Sequence, residues 1–139
     1  MADSFVQASS RNQQAEVFAK EDTIQQVVHQ FYGKVRQDRL LGPVFERFIQ
    51  GNDWDHHLAR MCDFWSAILF HTGRYKGNPM LAHLQIEEIG PRHFDRWMEL
   101  FVETVGEQCD APLSERFAQL AGRMRENLQR AIAQVKHND

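Results

Sequence analysis

Cysteine is scarce in this sequence, with Cys62 and Cys109 the only two in 139 residues. Two cysteines do not make the disulfide framework of a small secreted protein, and they form no paired motif that would hold zinc. The sequence also lacks H-E-x-x-H, G-x-S-x-G and a glycine-rich phosphate loop. We therefore expect a reduced protein without disulfides, and no common motif of a zinc protease, serine hydrolase or nucleotide-binding enzyme.

Long apolar runs and a strong excess of one charge are missing too. No run approaches the roughly 18 apolar residues of a membrane span, and residues 1–20 lack the basic-then-apolar layout of a secretion signal. The net charge is −3 with the seven histidines neutral, which disfavours nucleic acid or an acidic membrane as the main partner. These observations predict a cytoplasmic protein that neither spans nor binds a membrane.

No segment alternates apolar and polar residues as a strand does, and apolar residues recur instead at helical spacing. Ten phenylalanines and three tryptophans supply large groups for a core. The sequence predicts an all-α fold with about five main helices, over 22–37, 44–48, 53–71, 91–105 and 113–135. Two of the predicted inward rows are Ile24, Val27, Val28, Phe31, Tyr32 and Val35 on the first helix, and Phe94, Trp97, Met98, Phe101, Val102 and Val105 on the fourth.

Turn residues separate these helices. Gly42-Pro43 is predicted to break the chain between the first two, and Thr72-Gly73 to end the third. Pro91 suits the first turn of a helix, because its missing N–H would have no partner there. Residues 1–20 are polar and weakly patterned, so they are predicted to form a flexible N-terminal extension to a single domain over 21–139.

Three polar side chains fall on inward helix faces. Tyr32 ends the apolar row of the first helix, Trp97 lies in the middle of the fourth, and His57 lies near the start of the third. Each has an ordinary interpretation, namely a core tyrosine, a core tryptophan and a solvated histidine. The functional interpretation is that Tyr32 and Trp97 donate hydrogen bonds into a cavity. His56 points roughly 100° away from His57 on an ideal helix, so we expect His56 to be solvated.

The stretch from Tyr75 to Trp97 interrupts the helical pattern with Gly77 and Pro79. It places His83 between Ala82 and Leu84, in an apolar turn between two long helices. Such a histidine is either a half-buried loop residue or the protein ligand of a haem iron, for which imidazole is the usual proximal ligand. Because no C-x-x-C-H motif is present, a haem would be held non-covalently.

Seven short motifs occur in an order that resembles the group III truncated haemoglobins. The resemblance covers about residues 22–135. It implies a truncated globin fold, a two-over-two helical sandwich around haem b with a very short proximal helix. The motifs are Phe31-Tyr32, Leu41-Gly42-Pro43-Val44-Phe45, Trp54-Asp55-His56-His57, Phe64-Trp65, Tyr75-Lys76-Gly77-Asn78-Pro79, His83-Leu84 and His93-Phe94-Asp95-Arg96-Trp97.

The resemblance implies a role for each matching residue. His83 would be the iron ligand, Tyr32 and Trp97 the ligand-binding pair on the opposite side of the haem, and His57 the gate of the pocket. The position before the proximal histidine, often basic in truncated globins, is Ala82 here. Arg60 and Tyr75 are therefore the candidates for the haem propionates, since arginine binds carboxylates well. The remaining predicted haem contacts are Phe45, Met61, Phe64 and Phe94, of which Met61 would also face the gaseous ligand.

The expected ligands are O2, NO, CO or peroxide. Carriage, detoxification, sensing, and slow peroxidase-like or nitric-oxide-consuming activity all stay open. No flavin or reductase domain is recognisable in the sequence, so a redox cycle would need a separate electron donor. A monomer is expected. The alternative from another class is a haem-free helical module for protein contacts, which would have no need of the polar pair Tyr32 and Trp97.

Overall fold

A computed structural model of the protein describes residues 21–75, 77 and 89–138, with side chains as far as residue 134. Those residues form helices joined by turns and contain no strand, which confirms the all-α prediction. The predicted N-terminal extension and the short helix at His83 lie outside the described ranges. The helices are α1, whose described part is 21–37, α2 (Leu41–Phe48), α3 (Asp53–Phe70), α4 (Pro91–Gln108) and α5 (Ala111–Asn138).

The break between α1 and α2 lies earlier than predicted. Gly42 and Pro43 belong to the first turn of α2, where a proline costs no intrahelical hydrogen bond. The break is made by Asp38, whose Oδ2 accepts the backbone N–H groups of Leu40 at 3.1 Å and Leu41 at 3.0 Å. Gly42 allows the two helices to meet closely, because a Cβ there would lie 2.7 Å from the Arg36 carbonyl oxygen.

The other predicted boundaries agree with the structure to within a few residues. Helix α3 ends where His71 takes the left-handed conformation, with φ 57°. Helix α4 begins at Pro91 as predicted, and it continues to Gln108 rather than Val105. Helix α5 begins earlier than predicted, at Ala111, where Asp110 Oδ1 accepts the Leu113 N–H at 3.1 Å.

The core is centred on Phe101 of α4. Its ring lies 5.2 Å from Phe31 of α1, 5.2 Å from Trp65 of α3 and 6.0 Å from Phe117 of α5, between ring centroids. The inward row of α1 is buried as predicted. Val102 was predicted to face inward on α4 and does not, since it is 47% exposed. Val102 lies at the edge of the apolar stripe, and the buried face of the helix is narrower than the sequence suggests.

Within the described ranges, no helix is long and apolar enough to cross a bilayer.

Candidate ligand cavity

A cavity of about 330 Å³ opens between the helices, and all five contribute to its wall. Its size falls in the range of small-molecule sites, and its wall is mostly apolar with a few polar groups. The structure brings together every predicted site residue that it describes. Those lining residues are Tyr32, Phe45, His57, Arg60, Met61, Phe64, Tyr75, Phe94 and Trp97.

The predicted donors reach the same cavity from different helices. Phe31 bridges them, because its ring centroid lies 5.0 Å from that of Tyr32 and 5.3 Å from that of Trp97. Tyr32 is 7% exposed, and its burial raises the pKa of its hydroxyl. The hydroxyl therefore stays protonated at physiological pH and is able to donate a hydrogen bond.

His57 lies against Tyr32 on the cavity wall. The imidazole ring is 4.9 Å from the Tyr32 ring and 5.8 Å from the Trp54 ring, edge-on to both. His56 is exposed, as expected, but it also lines the cavity. The prediction that His56 points away is therefore only half right. The opening of the cavity is wide enough for two successive residues of α3 to line it, with His57 facing inward and His56 at the rim.

Several apolar predictions pack around the cavity. Phe45 is stacked on Trp54 at 6.3 Å and lies 6.0 Å from Tyr32, so α2 closes the cavity beside the tyrosine. Phe94 is 8% exposed and belongs to a small cluster with Val44 and Ile89. These contacts pack the apolar walls of the cavity against the helices, and a flat apolar ligand could lie between those walls.

A cationic group stands at the mouth. Arg60 is exposed, and its guanidinium carbon lies 5.7 Å from the centre of the Tyr75 ring. Among the described residues, no carboxylate pairs with Arg60. Gly77 touches both, because a Cβ there would collide with Arg60 Nη2 and the Tyr75 hydroxyl. An anionic group placed at the mouth would thus meet a cation that is not paired with any carboxylate of the described residues.

The loop that carries Tyr75 is tied to the helices through Arg74. Arg74 Nη2 donates to Ser66 Oγ at 2.5 Å and to Glu21 Oε1 at 2.8 Å, and its Nε lies 3.6 Å from Asp63 Oδ1. Ser66 is fully buried on α3. The network holds residue 74 against α1 and α3, and so limits where Tyr75 can lie.

The sequence reasoning missed His93, to which it gave no role. His93 is 7% exposed and lines the cavity, and its Nδ1 accepts the Gly90 N–H at 3.0 Å. It occupies the third position of α4, the place where a side chain reaches back to cap the helix. The position of His93, two residues after Pro91, is the sequence feature from which this capping role could have been predicted.

Helix α5 contributes a wall of the cavity that could not be located by sequence analysis. Met124, Arg125 and Leu128 line the cavity, and Arg125 Nη2 pairs with Asp95 of α4. Met124 and Leu128 recur on α5 at the helical spacing of inward-facing apolar residues. That spacing did not show that they face a cavity rather than packed neighbours.

His83 lies outside the described residues, so its assignment as an iron ligand stays a prediction. In the part of the chain that the structure does describe, no three histidine, cysteine or acidic side chains cluster as a metal site.

A helical fold around an apolar cavity with aromatic donors in its wall is that of a globin-like protein. The family model for bacterial-like globins matches residues 16–132. The chain is 34% identical over 87 residues to the group 3 truncated haemoglobin ctb of Campylobacter jejuni, covering 61% of this chain and 68% of the relative. It also matches the crystal structure of a group III truncated haemoglobin from C. jejuni with a TM-score of 0.77 and 28% identity, over 81% of this chain and 90% of the other.

The chain therefore belongs to the bacterial-like globins, as a group III truncated haemoglobin. This membership confirms the family and the globin-like fold predicted from the sequence. It implies a haem cofactor and small diatomic ligands.

Proposed function

We propose that the protein holds haem b in the described cavity and binds O2 and other diatomic gases there, with Tyr32 and Trp97 donating hydrogen bonds to the gas. His83 is the proposed iron ligand, by its position in the family's motif. The observation that carries the proposal is the meeting of Tyr32 and Trp97, from two different helices, on the wall of one apolar cavity.

The residues present fit haem b by their chemistry. The porphyrin is flat and apolar, and the walls offer Phe45, Phe64 and Phe94 together with Met61. The two propionates are anionic and prefer water, and the rim offers the exposed cation Arg60 beside the Tyr75 hydroxyl. A charge at the rim and an apolar interior match the two ends of such a ligand.

When bound, haem b would supply an iron able to bind diatomic gases, with His83 as its proposed protein ligand. The protein decides which gas is held longer. Bound O2 carries partial negative charge and is stabilised by N–H and O–H donors, whereas bound CO carries little. Tyr32 supplies an O–H kept protonated by burial, and Trp97 supplies an indole N–H.

His57 is the proposed gate of the cavity. It lies between Tyr32 and the exposed rim at His56, so a rotation of its side chain would open or close the route to the two donors. Met61, one turn further along α3, lines the same cavity. Neither residue needs to bond the gas to control its entry.

The deciding experiment is an absorption spectrum of the purified protein reconstituted with haem. We expect a Soret band in the oxidised and reduced forms, and a shift of that band when CO is added to the reduced form. A protein that takes up no haem under these conditions would be the haem-free helical module instead. The His83→Ala variant tests the iron ligand, because an unchanged CO spectrum in that variant would rule out the assignment.

A further inference from the structure

A continuous row of aromatic rings joins the inside of the cavity to its edge. The rings of Trp97 and Phe101 are stacked at 5.1 Å with planes 4° apart, and Phe101 and Trp65 are stacked at 5.2 Å and 13°. Phe64 follows at 5.6 Å from Trp65, and Tyr75 at 5.1 Å from Phe64. We call these five residues the aromatic row.

Within the row, side chains that can be oxidised alternate with phenylalanine side chains that lie between them. Tryptophan and tyrosine lose one electron at potentials that peroxides can supply, and phenylalanine does not. Trp97, Trp65 and Tyr75 are thus the redox-active members, separated by one phenylalanine ring in each case. At neutral pH a neutral tyrosyl radical is a weaker oxidant than a tryptophan radical, so an electron vacancy created at Trp97 moves towards Tyr75.

We propose that the aromatic row carries single electrons between Tyr75 at the mouth of the cavity and Trp97 in its wall, and that Tyr75 is where small one-electron donors such as phenols supply them when a peroxide is reduced inside. The link to peroxide rests on the proposed haem site. The movement of electrons along the row does not, because it requires only the protein's own rings.

The proposed reaction balances for hydrogen peroxide as the oxidant. Its O–O bond breaks, and two electrons and two protons convert it to two molecules of water. Each electron that leaves Tyr75 is accompanied by the release of its phenol proton to solvent, leaving a neutral tyrosyl radical. A phenol then returns one electron and one proton to Tyr75, so two phenols are oxidised for each peroxide reduced.

Tyr32 also lies near Trp97, through Phe31, but it is a poor end point. Its oxidation would require the loss of the hydroxyl proton, and Tyr32 is 7% exposed with a pKa that burial has raised. Tyr75 is half-buried at the cavity edge, where its proton can reach water. Arg60 lies over the Tyr75 ring and opposes a radical cation, but it does not oppose the neutral radical that remains after proton loss.

The first test uses haem-free protein and pulse radiolysis. Azide radicals oxidise tryptophan, and we expect the tryptophan radical absorbance to decay as a tyrosyl absorbance rises, at a rate independent of protein concentration. Tyr75→Phe should abolish the tyrosyl signal, and Tyr32→Phe should retain it. Trp65→Phe should slow the conversion, whereas Trp54→Phe, which removes a buried indole outside the row, should not.

The second test treats haem-loaded protein with hydrogen peroxide and a spin trap, and locates the adduct by peptide mass spectrometry. We expect the adduct at Tyr75 in the parent and in Tyr32→Phe. An adduct or tyrosyl signal that survives in Tyr75→Phe and disappears in Tyr32→Phe would overturn the proposal, because the vacancy would then end at Tyr32.

The two tests separate this proposal from the haem proposal. Absence of a Soret band would refute the haem site and the link to peroxide, and the pulse radiolysis result would still decide whether electrons move along the row. A normal Soret band with no tryptophan-to-tyrosine conversion would refute the row alone. Tyr75→Phe and Tyr32→Phe remove one oxygen atom each, so the decision does not depend on the fate of the more disruptive Trp65→Phe variant.

Discussion

The imidazole of His57 meets the ring of Tyr32 edge-on, with centroids 4.9 Å apart and planes at 87°. The proposed gate and one proposed donor are therefore in direct contact. Movement of His57 would change how the Tyr32 ring is covered. The same side chain therefore affects both the entry of a ligand and the donor that stabilises it. This contact explains why the two residues must be tested by different measurements.

The first prediction concerns the donors. A hydrogen bond to a charged acceptor contributes about 1.5–3 kcal/mol, and each 1.36 kcal/mol changes a rate tenfold. In Tyr32→Phe or Trp97→Phe we expect O2 to dissociate roughly tenfold to a hundredfold faster. CO dissociation should change much less, and it serves as the internal control. Stopped-flow ligand replacement measures both rates.

Two outcomes would count against the donors. Equal changes for both gases would mean that the side chains act by bulk, and no change for O2 would leave them as core residues. The double variant need not show the product of the single effects, because both donors serve one ligand.

The second prediction concerns the gate. His57→Ala should change the rate at which CO enters after flash photolysis, and change haem retention little. His56→Ala is the matched control, since it removes the neighbouring imidazole at the rim and leaves the Tyr32 contact intact. A larger effect of His56→Ala on entry would show that the rim histidine controls access.

The third prediction concerns the turn between α1 and α2. The carboxylate of Asp38 is 7% exposed and accepts from Arg96 Nε at 2.7 Å, in addition to its two backbone N–H groups. Burial alone would raise the pKa of Asp38, but the hydrogen bonds from Leu41, Arg96 and Leu40 together lower it. Because the folded pKa is depressed, the stabilisation is present above the unfolded value of about 3.9 and is lost as pH falls towards the folded value.

Asp38→Asn keeps one oxygen acceptor for the two backbone N–H groups of the turn and removes the charge opposite Arg96. We expect it to lower the free energy of unfolding by roughly 1–2 kcal/mol at pH 7, with the difference from the parent shrinking below about pH 4. Urea unfolding at both pH values measures it. Glu99→Gln is the control, since it removes the exposed second partner of Arg96 at 2.9 Å and should cost little. A difference that persists at low pH would assign the effect to packing.

The fourth prediction concerns the rim. Gly77→Ala should displace Arg60 or Tyr75, because the added Cβ would overlap both. If these two residues hold the propionates, haem should transfer from the variant to an acceptor globin faster than from the parent. Gly106→Ala is the control, because its Cβ would meet nothing. Equal haem loss from both variants would remove Arg60 and Tyr75 from the proposed site.

Much of the fold was predictable because it depends on local rules. The α1 row followed from spacing, and the start of α4 followed from Pro91. The break at Asp38 was misplaced because a proline in a first turn is indistinguishable in sequence from one that ends a helix. The deciding feature was the Asp38 side chain accepting from Leu40 and Leu41.

The cavity was predictable only through the residues of the family motif. Periodicity identifies which side chains face inward, but a cavity is a place where inward residues of distant segments fail to meet. Arg125 and Met124 reach the cavity from α5, and no local sequence pattern identifies them as cavity residues. His93 was missed because its capping contact with Gly90 forms only when the turn before α4 has closed.

The position of Phe101 has a consequence for how this sequence can change over generations. Its ring touches aromatic rings from α1, α3 and α5, and stacks on Trp97 of its own helix. A substitution at any of these positions alters the space that the others must fill, so its effect depends on which neighbours are already present. A change of volume at this centre is therefore expected to need a compensating change in a neighbouring ring, and the same single substitution can be tolerated differently here and in a relative with other neighbours.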